Sequence, residues 1–84
     1  MSKFAEILAY VIFFYSNDRD EPVHYHVSRL NDYNNFAQVW IRNGDVILEH
    51  NKARIPDQDM TKILKYLKRN STRATVFWEE HMSK

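Results

Sequence analysis

The chain of 84 residues contains no cysteine, a single glycine and two prolines, and each scarcity excludes something. Without cysteine there are no disulfides and no thiolate metal sites, and redox compartment leaves no mark on the sequence. One glycine cannot build a Gly-rich phosphate loop, and no nucleophile elbow or RNA-binding signature is present. Charge of one sign is missing too. Twelve Lys and Arg oppose eleven Asp and Glu, so a formal net charge of +1 gives the molecule no strong overall field for a polyanion. Long hydrophobic runs are also lacking. The longest, Ile7–Tyr15, is too short to span a bilayer and has neither a basic leader nor a small-residue cleavage site. The expectation is a soluble, cytoplasmic protein.

What is present suits a small folded unit. Hydrophobic residues make up 44% and charged residues 27%, a balance that separates the chain from disordered sequences. Its length predicts one domain over 1–84 with one core. Aromatic residues reach 14%, enough for some rings to serve a partner surface as well as that core.

Residues 7–15 are almost unbroken apolar, β-branched and aromatic, which predicts a strand covered on both faces. A polar turn, Ser16-Asn17-Asp18-Arg19-Asp20-Glu21, ends it, and Pro22 starts a second strand over about 23–30. Asn31-Asp32-Tyr33-Asn34-Asn35 is a loop. Strands at 36–42 and 45–49 flank Asn43-Gly44, the pair that forms a two-residue type I′ hairpin because both positions need positive φ. That turn pairs Arg42 with Asp45, Ile41 with Val46, Trp40 with Ile47 and Val39 with Leu48.

Pro56, followed by Asp57 and Asp59, opens a helix over about 57–69, whose Met60, Ile63, Leu64 and Leu67 keep helical spacing. Asn70-Ser71-Thr72 breaks the period, and Ala74, Phe77, Trp78 and His81 repeat it over about 72–82. The fold class expected is α+β: a four-stranded antiparallel meander followed by two C-terminal helices packed on one face. In that order the most apolar strand, 7–15, is an edge. Exposed apolar edges invite pairing, so a protein partner or a homodimer is expected through strand one.

The one local pattern able to carry chemistry is Glu21-Pro22-Val23-His24-Tyr25-His26-Val27. In an extended segment His24 and His26 project from the same face, and Val23, Tyr25 and Val27 from the other. If the apolar set faces the helices, then His24, His26, Ser28, Gln38, Trp40 and Arg42 share the opposite face. Symmetric closure of the 31–35 loop sets His26 opposite Trp40 and His24 opposite Arg42.

Four uses of that face are open. The histidines are ordinary strand residues; or Glu21, His24, His26, Gln38, Trp40 and Arg42 form a recognition surface. Alternatively, His24 and His26 act as base and acid, with Arg42 or a helix lysine steadying a phosphate. Finally, the two imidazoles bind zinc or nickel, with a third ligand drawn from Asp18, Asp20, Glu21 or His50. No spacing specifies that third ligand, so neither a metal nor a cofactor is assigned. Separately, Lys62, Lys65 and Arg69 fall on one helical face. This is a solvated face, or weakly a nucleic-acid contact.

Tyr15-Ser16-Asn17-Asp18, the E-P-x-H-x-H-V string at Glu21–Val27, and Trp78 together resemble the small bacterial family catalogued as domain of unknown function 4160. The similarity spans most of the chain. It implies an α+β protein of this size, without an established reaction. Members are often encoded beside another small uncharacterised protein, an arrangement that suggests toxin–antitoxin-like modules. Carried over, the resemblance points to Glu21, Pro22, His24, His26 and Trp78. The longer loop at 31–35 departs from the short glycine-containing turn of relatives and bears on the register of strands two and three.

The leading reading is a binding or regulatory module, non-enzymatic, with one half of a toxin–antitoxin-like pair as its specific form. The alternatives are a histidine-dependent RNase-type toxin using His24 and His26, and a metal-binding module.

Overall fold

A computed structural model describes residues 1–16 and 20–82. The turn residues Asn17, Asp18 and Arg19, among them one of the acids considered as a metal ligand, lie outside the described residues. Among those described, five strands form one antiparallel sheet in sequence order: β1 (Ser2–Ile7), β2 (Tyr10–Phe14), β3 (His24–Arg29), β4 (Phe36–Arg42) and β5 (Asp45–Asn51). Two helices follow, α1 (Asp57–Arg69) and α2 (Ser71–Met82). The class is α+β as expected, but the sheet has five strands, not four.

The extra strand comes from splitting the predicted 7–15 element. The chain reverses at Leu8-Ala9, so that Ile7 pairs with Tyr10 and the segment before it returns as β1. Leu8 takes φ 56°, an uncommon conformation for a branched residue without a glycine's freedom. Nothing in a Leu-Ala pair signals a turn. The consequence is large: the most apolar strand, β2, is not an edge but lies between β1 and β3, with all five residues buried.

The Asn43-Gly44 hairpin forms as its chemistry requires, with φ 52° and 84°. All four pairs expected from it are present: Arg42–Asp45, Ile41–Val46, Trp40–Ile47 and Val39–Leu48. Beyond Leu48 a bulge shifts the register, Gln38 pairing with His50, and β5 continues to Asn51.

Tyr10, Ile12, Phe14, Tyr25, Val27, Ala37, Val39 and Ile41 point to one side of the sheet and pack with Met60, Ile63, Leu67, Ala74 and Trp78 of the helices. Hydroxyl groups fasten the two layers. Tyr10 donates to Asp59 Oδ2 at 2.7 Å, and Tyr25 donates to the Ala74 carbonyl at 2.6 Å. Burial first, then the Asp59 carboxylate, raises the Tyr10 pKa; burial raises that of Tyr25. The connection into α1 is held by reciprocal bonds between the Asn51 side chain and the Ile55 backbone, 2.9 and 3.0 Å.

Candidate functional site

Pleat alternation puts the histidines where the sequence predicts, on the face away from the helices. Tyr25 and Val27 belong to the helix-side core; His24, His26 and Ser28 face the opposite way. The cross-strand register differs from the symmetric closure. His24 lies opposite Trp40, not Arg42, and His26 opposite Gln38, not Trp40. The loop closes through bonds from Asp32 N–H to the Arg29 carbonyl and from Asn35 N–H to the Asp32 carbonyl, with Asn31 at φ 64°. That compact turn shifts the pairing by two residues and leaves the faces unchanged, because the side-chain period is two.

The environment also differs from an open polar patch. His24 is 1% exposed and His26 6% exposed. A second apolar layer surrounds them on this face. His26 packs on Phe36, Phe13 and Tyr15, at centroid distances of 4.2, 5.3 and 5.5 Å, and Tyr33 covers Phe13 at 5.7 Å. These are offset and edge-to-face contacts of the kind aromatic rings favour.

His24 is the junction of the face. Its Nδ1 lies 3.0 Å from the Pro22 carbonyl oxygen, which only accepts, so this nitrogen carries a proton. Its Nε2 faces the exposed Glu21 carboxylate at 3.6 Å, a contact that attracts fully only when the ring is charged. The ring also meets His26 at 5.4 Å, Trp40 at 5.0 Å and Trp78 at 6.4 Å. Glu21, Pro22, His26 and Trp78 are therefore all neighbours of one imidazole. Trp78 itself is buried, and its Nε1 has no hydrogen-bond acceptor among the described residues.

The bulge in β5 adds a histidine to this face. One extra residue turns both Glu49 and His50 toward the open side. Glu49 accepts a bond from Trp40 Nε1 at 2.9 Å. His50 lies 5.8 Å from Phe36, so the Phe36 ring contacts both His50 and His26, while Gln38 is the cross-strand partner of each. Burial, then nearby Lys52, lowers the His50 pKa against the opposing pull of Glu49. No three His, Cys, Asp or Glu side chains among the described residues are grouped to hold a metal ion.

The exposed part of the face is its β4–β5 end. Pro22, Trp40, Arg42, Ile47 and Glu49 line a shallow groove there, and Ile47 is 48% exposed. Gln38 is half-buried beside His26. Lys62, Lys65 and Arg69 are exposed on the side of α1 away from buried Met60, Ile63 and Leu67, remote in position from the histidines' face.

No helix among the described residues is long and apolar enough to cross a membrane. No curated protein matches the chain, and no solved structure does. A family model described as Domain of unknown function (DUF4160) matches residues 9–79, from the start of the β1–β2 turn's second residue to the last turn of α2. That span takes in the whole of β2–β5, both histidines and Trp78, and the chain belongs to this family.

Proposed function

We propose that this protein is a non-enzymatic binding module that engages a protein partner through the β4–β5 end of the open sheet face. One observation carries the reading: the histidines are sealed beneath aromatic rings, while Trp40, Arg42 and Ile47 remain accessible around one groove. A half-exposed Trp beside an Arg and an exposed Ile is the composition that anchors protein interfaces. The His24–Trp40 contact makes the buried imidazole a support for the contact residue instead of the reacting group.

An acid–base role for His24 and His26 would require substrate to reach rings with almost no accessible surface, and a metal role would require a third ligand beside them. In its specific form the reading makes the partner the product of an adjacent gene, as in toxin–antitoxin-like pairs.

Co-expression with that neighbouring protein tests it. Wild type is expected to co-purify with the neighbour, and Ile47→Asp or Arg42→Glu to lose it while circular dichroism stays unchanged. Retention by both variants would remove this surface. Growth arrest on expression that disappears in His24→Phe and His26→Phe, both folded, would instead favour the RNase-type reading.

A further inference from the structure

We propose that β1 is a self-association edge, on which a second copy of this chain pairs its own β1 antiparallel across a two-fold axis normal to the sheet. β1 is an outer strand, so one row of its backbone N–H and C=O groups has no strand beside it among the described residues. Phe4 is the extra residue of a bulge, Lys3 pairing with Phe13 and Ala5 with Ile12. Residues three apart in a regular strand face opposite sides. The bulge instead puts Lys3 and Glu6 on one face, where they form a 2.9 Å ion pair.

The edge consequently reads alike from both ends. Ser2 and Ile7 take the helix side with their partners Phe14 and Tyr10. Lys3 and Glu6 take the open side with Phe13 and Val11. Phe4 and Ala5 return to the helix side, Phe4 against Tyr25 and Phe77. Antiparallel pairing about the midpoint of Phe4 and Ala5 sets Lys3 opposite Glu6 of the second copy, and Glu6 opposite its Lys3. Met1 and Leu8 then fall opposite each other. These are the most exposed large apolar side chains of the molecule, at 58% and 55%. In an unbulged strand a symmetric pairing matches only residues an even number of positions apart, and Lys3 would never meet Glu6.

The helix layer borders the same edge. A groove lined by Phe4, Arg73, Val76, Phe77 and Glu80 runs beside this edge, with the Arg73 guanidinium 5.3 Å from the Phe4 ring centre. That groove carries both signs of charge, Arg73 and Glu80, beside the apolar Val76 and Phe77. A bulge and a lysine on an edge turn away strands lacking the same pattern, so the edge selects its own copy. The pairing uses the sheet edge opposite the β4–β5 surface and does not depend on the function proposed for it.

Light scattering on the purified full chain is expected to give twice the mass of one chain. Lys3→Glu and Glu6→Lys should each yield the single-chain mass with an unchanged circular dichroism spectrum, and the double charge reversal should restore the doubled mass. Because the chain has no native cysteine, Lys3→Cys mixed with Glu6→Cys should form a disulfide-linked pair that neither protein forms alone. A single-chain mass for wild type at every concentration overturns the proposal. So does a folded double reversal that stays monomeric, or Lys3→Cys cross-linking by itself as fully as the mixture.

Discussion

His26 stacks on Phe36 with ring centroids 4.2 Å apart and planes 14° from parallel, although its register partner across the strand pair is Gln38. The contact is diagonal, a distance that large rings bridge within one face of a sheet. It makes His26 part of a packed layer together with Phe13 and Tyr15.

The first prediction follows from that packing. His26→Ala should destabilise the fold by about 2–4 kcal/mol, in the range of other large-to-small core truncations. His26→Phe keeps a stacking ring and should stay within about 1.5 kcal/mol of wild type. Urea unfolding measures both. Equal stability of the Ala and Phe variants would show that the ring is not a packing element.

Alkaline pH should weaken the layer contact between sheet and α2. The folded state raises the Tyr25 pKa above its ordinary 10.0, chiefly through burial. The folded protein therefore holds that proton after the unfolded chain has lost it. Stability is full below pH 10 and falls above it, by up to about 1.4 kcal/mol per pH unit for this one group. Tyr10, raised in the same direction, adds to the slope. Tyr25→Phe should cost about 1 kcal/mol at neutral pH, through loss of the bond to Ala74, and should flatten the alkaline decline. An unchanged alkaline slope in Tyr25→Phe would contradict this account.

At Gly44 the cost of substitution is conformational. A Cβ there meets nothing within 4 Å, but φ is 84°. Gly44→Ala should lower stability by about 1 kcal/mol and Gly44→Asn by less, since Asn tolerates positive φ. A greater loss for Asn than for Ala, read from thermal melts, would show that something other than backbone conformation decides.

Arg29 ties β3 to the segment before α1. Its guanidinium donates to the Ala53 carbonyl at 2.7 Å and to the Arg54 carbonyl at 3.3 Å, and lies 5.8 Å from the Tyr10 ring centre. Lysine keeps the charge but not the two-pronged geometry. Arg29→Lys should therefore cost about 1–2 kcal/mol, with hydrogen exchange at residues 52–56 accelerated more than in β4. Uniform acceleration across both segments would argue against a local clamp.

Much of the fold was legible because local chemistry and tertiary context agree. Asn43-Gly44 supplies both positive φ values, and that alone aligns Arg42 with Asp45 and every pair back to Val39. The spacing of Met60, Ile63 and Leu67 places α1 on the sheet, and the period of two puts His24 and His26 on the face away from it. These signals act over a few residues, where φ preferences and side-chain periodicity decide.

Other features exist only in the assembled sheet. Leu8-Ala9 carries no turn signal, and the reversal is stabilised by burying Tyr10–Phe14 between two neighbours. The bulges at Phe4 and Glu49 likewise answer to partner strands, and they determine that Lys3 meets Glu6 and that His50 joins the open face. Burial of His24 and His26 depends on Phe13, Phe36 and Trp40, residues from other strands. Alternation along β3 and β4 follows from the order of residues alone, whereas the cover over each side chain, and the points where a bulge turns one over, come from neighbouring strands, because solvent exclusion is a property of neighbours brought together from distant parts of the chain.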